Sequence, residues 1–151
     1  MKFRPLALAA CVLVTGLLAP VAHAEGRGVR TPEAVKIFNE VCGKTYPSFR
    51  NAEDRTLALG QTFEEENPAK DLWISAFTNT SSGRSGCSVR YGTVETVAKL
   101  IRNLGLLGTV TPTGPLTASV QFRNTSHQIE IRVNEARTNG RIIVQLDLEL
   151  D

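Results

Sequence analysis

From Leu116 to Leu150, apolar and polar side chains alternate so regularly that the segment has few ways to fold. Leu116, Ala118, Val120 and Phe122, then Ile129, Ile131 and Val133, then Ile142, Val144, Leu146, Leu148 and Leu150 recur at every second position. Thr117, Ser119, Gln121, Glu130, Arg132, Asn134, Gln145, Asp147 and Glu149 stand between them. Only extended backbone sends successive side chains to opposite sides, so these runs predict three strands with one dry and one wet face. Arg123 to Ser126 supplies the first turn, and Asn139-Gly140 supplies the positive φ angles of a tight second one, making the segment an antiparallel meander.

A dry face needs a cover, and the upstream sequence offers helices. Thr31-Pro32-Glu33 reads as an N-cap hydroxyl followed by a first-turn proline and carboxylate, with Ala34, Phe38, Val41 and Cys42 at helical spacing and Gly43 as the stop. A second helix is expected from about Pro47, carrying Phe49, Ala52 and Leu57, with Gly60 just past its end. The acidic run Glu64-Glu65-Glu66 and Pro68 mark a solvated connection. Leu72 to Thr78 and Cys87 to Tyr91 read as a strand pair joined by the polar loop 79–86. Thr93 is the expected cap of a third helix bearing Val94, Val97, Ala98, Ile101 and Leu104, closed by Gly105.

Two helices, a hairpin, a crossover helix and a meander define an α+β class: a five-stranded antiparallel sheet with its helices packed on one face. In that element order the first and last strands can lie side by side at the centre, giving spatial order 2-1-5-4-3. The order resembles profilin-like and PAS-like domains over roughly Leu72 to Leu150, and the likeness carries no functional residues with it.

The N-terminus reads differently. Lys2 and Arg4 precede an apolar run from Leu6 to Ala19, followed by Ala22-His23-Ala24, the arrangement of a signal peptide cleaved after Ala24. The apolar run continues beyond Cys11, which argues against lipid attachment at that cysteine. The expected organisation is a leader over 1–24, a flexible polar lead over 25–30 and a single domain over 31–151. The leader holds two of the 17 basic residues and none of the 15 acidic ones, so the mature chain is neutral and lacks the basic excess of a nucleic-acid binder. No second apolar run follows, so no integral membrane segment is expected after cleavage.

Outside the leader the cysteines are Cys42 and Cys87, which in an oxidising compartment read as one disulfide. They do not form a C-x-x-C redox motif. His127 is the one histidine left outside the leader, too few for a zinc site, and no cofactor fingerprint is present. The chemistry-bearing candidates are therefore sparse. His127 with a nearby serine or carboxylate would make a small exported hydrolase. Asn79, Ser81, Ser82, Arg84 and Ser85 form a candidate binding loop. Arg123, Arg132 and Arg141 are expected to pair across strands with Glu130, Asp147 and Glu149. Trp73 and Phe77, on the opposite side of their strand from Leu72 and Ile74, are expected to pack in a core. The leading expectation is a non-catalytic periplasmic or secreted domain that binds an envelope or secreted protein, in an inhibitor or immunity-type role, or else a small ligand. The alternatives are the His127 hydrolase and a structural envelope component.

Overall fold

A computed structural model describes residues 28–67, 70–134 and 141–151; the expected signal peptide, with Cys11 and Ala24, and the turn expected at Asn139-Gly140 lie outside them. The class is α+β. Three helices, α1 (Thr31–Phe38), α2 (Ala52–Ala58) and α3 (Val97–Leu104), accompany six strands. These are β1 (Leu72–Thr78), β2 (Ser85–Thr93), β3 (Val110–Gly114), β4 (Thr117–Gln121), β5 (Gln128–Asn134) and β6 (Ile142–Leu150). They form one antiparallel sheet in the order β1-β2-β6-β5-β4-β3.

Both the expected strand count and the expected order 2-1-5-4-3 are therefore corrected. The sixth strand, β3, is a Val-Thr-Pro-Thr-Gly segment that lacks the alternation of the other strands and pairs with β4. At the centre, β2 and not β1 lies beside the last strand. The outer edge of β1 is already occupied, since the backbone N–H groups of Glu64 and Asn67 donate to the carbonyls of Ile74 and Leu72 at 2.8 and 2.9 Å. β2 and β6 are each nine residues long and pair over all nine positions. The profilin-like and PAS-like arrangement does not hold.

The meander keeps its expected parity. Val120, Ile129, Ile131, Val144, Leu146 and Leu148 are buried on the helix side, while Glu130 and Arg132 are exposed. They meet Ala34, Phe38, Val41 and Cys42 from the first helix and Leu72, Ile74, Val89 and Tyr91 from the first hairpin in a continuous core. Four apolar residues of the meander depart from the pattern: Leu116 is 48% exposed, and Ala118, Val133 and Ile142 are half-buried.

Several helix boundaries move. Thr31 is not the cap of α1 but its first residue; Arg30 precedes it in extended backbone, with no side-chain bond to the helix end. Gly43 does not stop the chain, which widens into a π-helical turn over Asn39–Gly43 and continues. The widened turn keeps Cys42 on the buried side. In α2 the buried residues are Ala52 and Thr56, whereas Leu57 is 56% exposed; Gly60 does hold the expected positive φ, at 67°. Thr96, not Thr93, caps α3, its hydroxyl accepting from the Lys99 N–H at 3.4 Å, because Thr93 is the last residue of β2. Part of the lead expected to be flexible is anchored, with Val29 buried and its N–H donating to the Gly92 carbonyl at 2.7 Å.

Two long-range links fix the helices. Cys42 and Cys87 form the expected disulfide, with Cα atoms 5.5 Å apart, pinning the first helix to β2. The second link involves Glu95, just before α3. Its carboxylate accepts from the Thr31 N–H at 2.9 Å, the Thr31 hydroxyl, the Asn103 amide at 2.7 Å and the Thr93 hydroxyl at 3.3 Å. Glu95 thus supplies from a distance the cap that α1 lacks locally. Burial alone would raise its pKa, but the bonds from Thr31, Asn103 and Thr93 outweigh that and hold it below the usual carboxylate value. Tyr91, which donates to the Thr31 hydroxyl at 3.1 Å, has its phenol pushed well above the usual value by burial.

Candidate functional site

An apolar surface is left open where α3 meets the β3–β4 ribbon. Of the stripe expected to be buried only Leu104 is, and with Leu100 it pins α3 to the core; Val97 is 57% exposed, Ile101 56% and Val94 72%. The reason is geometric. An eight-residue helix is about 12 Å long, whereas the seven residues of β5 extend about 23 Å, so α3 leaves part of the meander's apolar face uncovered. The incompletely covered residues are Leu116, Ala118, Val133 and Ile142, the same four that depart from the burial pattern.

Between α3 and the β3–β4 ribbon these residues line a groove of about 340 Å³. Its walls are Val97, Ile101 and Leu104 on the helix side and Val110, Pro112, Pro115, Leu116 and Ala118 on the ribbon side, over a floor of Ile131, Val133 and Ile142. Thr117 is the one side chain of the lining that carries a hydrogen-bonding group. The volume lies within the range of ligand-holding clefts, roughly 300–1,000 Å³. Without convergent polar groups it has nothing to orient a reacting bond, so its chemistry is selection by shape and apolarity. Outside the groove, Leu106 just past α3 is 61% exposed, extending the apolar surface.

The residues singled out from the sequence do not converge there. Asn79, Ser81, Ser82 and Arg84 are exposed at the β1–β2 connection, but Ser85 is buried within β2 and donates to the Pro47 carbonyl at 3.1 Å. The connection is narrower than expected. Asn79 Oδ1 accepts the N–H groups of Ser81 and Ser82 at 3.0 and 3.1 Å, and its own N–H reaches the Arg84 carbonyl at 2.8 Å. The Arg84 side chain lies 3.4 Å from Glu149 and 3.7 Å from Asp151.

His127 sits at another corner, its Nδ1 bonded to the Tyr46 hydroxyl at 2.8 Å. Among the described residues no serine or carboxylate hydrogen-bonds to its ring. The three arginines also stay apart. Arg132 pairs with Glu130 of its own strand at 2.8 Å, so the pairing is not cross-strand; Arg141 pairs with Asp71, and Arg123 lies over the Phe122 ring. The Arg132 pairing lowers the Glu130 pKa.

Trp73 and Phe77 do not pack in a core. They lie on the open face of β1, where Phe77 is 46% exposed over Gly86 and Trp73 makes a cation–π contact with Arg90. A Cβ at Gly86 would come within 2.5 Å of the Phe77 ring, so the missing side chain makes room for that ring. Among the described residues no helix covers this face, because α1, α2 and α3 pack on the other side.

No group of three or more His, Cys, Asp or Glu side chains placed to hold a metal occurs among the described residues. No helix among them is long and apolar enough to cross a membrane. No protein family, curated protein or solved structure was found to match the chain.

Proposed function

We propose that the protein is a non-catalytic, exported binding domain that receives an apolar segment of an envelope or secreted protein in the groove between α3 and the β3–β4 ribbon. The observation that carries this reading is the exposure of Val97, Ile101 and Leu116 around a nearly wholly apolar cleft. Leu106, just past α3 and outside the cleft, is exposed as well, so the apolar surface of this region is not confined to the space of about 340 Å³ that a small molecule would fill, which favours a protein segment over a free ligand. Binding of this kind serves an inhibitor or an immunity-type protein, whose task is to occupy a partner and not to transform it. A periplasmic or secreted location accords with the Cys42–Cys87 disulfide, since such bonds persist in oxidising compartments.

The hydrolase reading has less behind it, because His127 is engaged by Tyr46 and has no bonded nucleophile or carboxylate among the described residues. Assembly through a sheet edge is disfavoured by the strap on β1 and by Pro112 within β3, which lacks the N–H a new strand would need.

The test uses a photo-crosslinking residue at Val97, with a control at Gln121 on the open face. A partner crosslinked from position 97 in the envelope or secreted fraction, lost on Ile101→Asp and absent from the control, supports the reading. Equal capture from both positions, or capture indifferent to Ile101→Asp, overturns it. Because Ile101 is 56% exposed, the substitution should change stability by no more than about 1 kcal/mol.

A further inference from the structure

The opposite face of the sheet carries a second cleft, of about 350 Å³, whose chemistry differs from that of the groove. Its centre is a row of three cross-strand neighbours: Trp73 on β1 opposite Arg90 on β2, and Arg90 opposite Gln145 on β6. The Arg90 guanidinium lies 5.2 Å from the centre of the Trp73 ring. Beside this row the floor is Gly92 and Ile143, and the walls include Asn134 and Glu66. The Asp71–Arg141 ion pair closes one end, with the Asp71 side chain lying over Gly92.

Arg90 is half-buried, yet no carboxylate lies within ion-pair distance of it among the described residues. A cation–π contact with the indole restrains the guanidinium without using its N–H donors, which leaves them available to a carboxylate. Gln145 donates its amide N–H to Asp147 at 3.0 Å, so its carbonyl oxygen remains as an acceptor beside the guanidinium. Trp73 and Ile143 add apolar surface for the body of a ligand. Glu66 is exposed and negative, which opposes a multiply charged anion and leaves a single carboxylate acceptable.

We propose that this cleft binds a monocarboxylate with an apolar body and an N–H donor near the carboxylate, such as an N-acylated amino acid or the C-terminal residue of a peptide. Arg90 takes the carboxylate, Trp73 packs against the body and Gln145 receives the donor. The site is independent of the α3 groove and would stand if that reading failed.

Trp73 is the chain's single tryptophan, so its emission reports on this cleft alone. The purified protein is titrated with N-acetylphenylalanine, with its amide, with a short peptide ending in free phenylalanine and with sulfate. The expected result is a saturable change with the two carboxylates and none with the amide or sulfate; the tighter of the two names the source. Arg90→Gln should weaken binding about tenfold or more through loss of a charge-assisted pair, and Arg90→Lys should recover part of it. Asn134→Asp, at an exposed position that does not endanger folding, should weaken binding by repulsion. Equal response to acid and amide, saturation by sulfate, or carboxylate binding unchanged in both Arg90→Gln and Asn134→Asp would overturn the proposal.

Discussion

Replacing Glu95 by alanine removes the acceptor of four hydrogen bonds that join the start of α1, the end of β2 and the body of α3. Thr31 is fully buried, so its N–H and hydroxyl cannot turn to water when the carboxylate is gone. A lost helix cap costs about 0.5–2 kcal/mol and a buried group left unsatisfied about 1–3 kcal/mol, which places the total near 2–4 kcal/mol once partial relaxation is allowed. Glu95→Gln keeps the shape and one oxygen but loses the charge that favours the helix N-terminus, so it should cost about half as much. The sign of the pH dependence follows from the lowered pKa of Glu95. A carboxyl more acidic when folded than when unfolded stabilises above the unfolded value of about 4.3, and that stability is lost as pH falls through the folded value. Urea unfolding of the parent and Glu95→Ala should therefore differ most near neutral pH and converge in acid. Agreement within about 0.5 kcal/mol at neutral pH, or a difference that persists unchanged in acid, would refute the capping argument.

Two further outcomes follow from the disulfide and from the expected signal peptide. Reducing the Cys42–Cys87 bond reopens a separation of 45 residues, for which chain entropy gives roughly 4 kcal/mol; urea unfolding should show a loss of about 2–5 kcal/mol, and an unchanged midpoint would mean that the bond is structurally idle. Mass spectrometry of the exported protein should find Glu25 as its first residue, and a lipid-modified Cys11 would reverse the proposed release into a soluble form.

Local features were legible because they depend on neighbouring residues alone. The alternation through Ile129, Glu130, Ile131 and Arg132 fixed which side of the strand is dry, since the pleat has period two whatever lies beside it. The helical spacing of Ala34, Phe38, Val41 and Cys42 placed Cys42 on the buried side, and the parity of β2 did the same for Cys87, so the disulfide followed. The candidate site was much less legible. The stripe of Val97 and Ile101 was visible as apolar, but periodicity reports which side of a helix is apolar, not whether anything covers it.

Cover, order and capping were left to the tertiary structure, for one physical reason. Backbone hydrogen bonds between strands are indifferent to sequence, so nothing local said that β2 would flank β6; the segment bonded along the edge of β1 decided it. The cap of α1 comes from a side chain 64 residues away, beyond any local signal. The groove exists because α3 is shorter than the sheet beneath it, and the opposite cleft because Trp73, Arg90 and Gln145 come from three strands brought into one row. Periodicity alone showed which face of an element is apolar; only the assembled chain decided which of those faces found a neighbour, because coverage depends on the relative lengths and positions of elements distant in sequence.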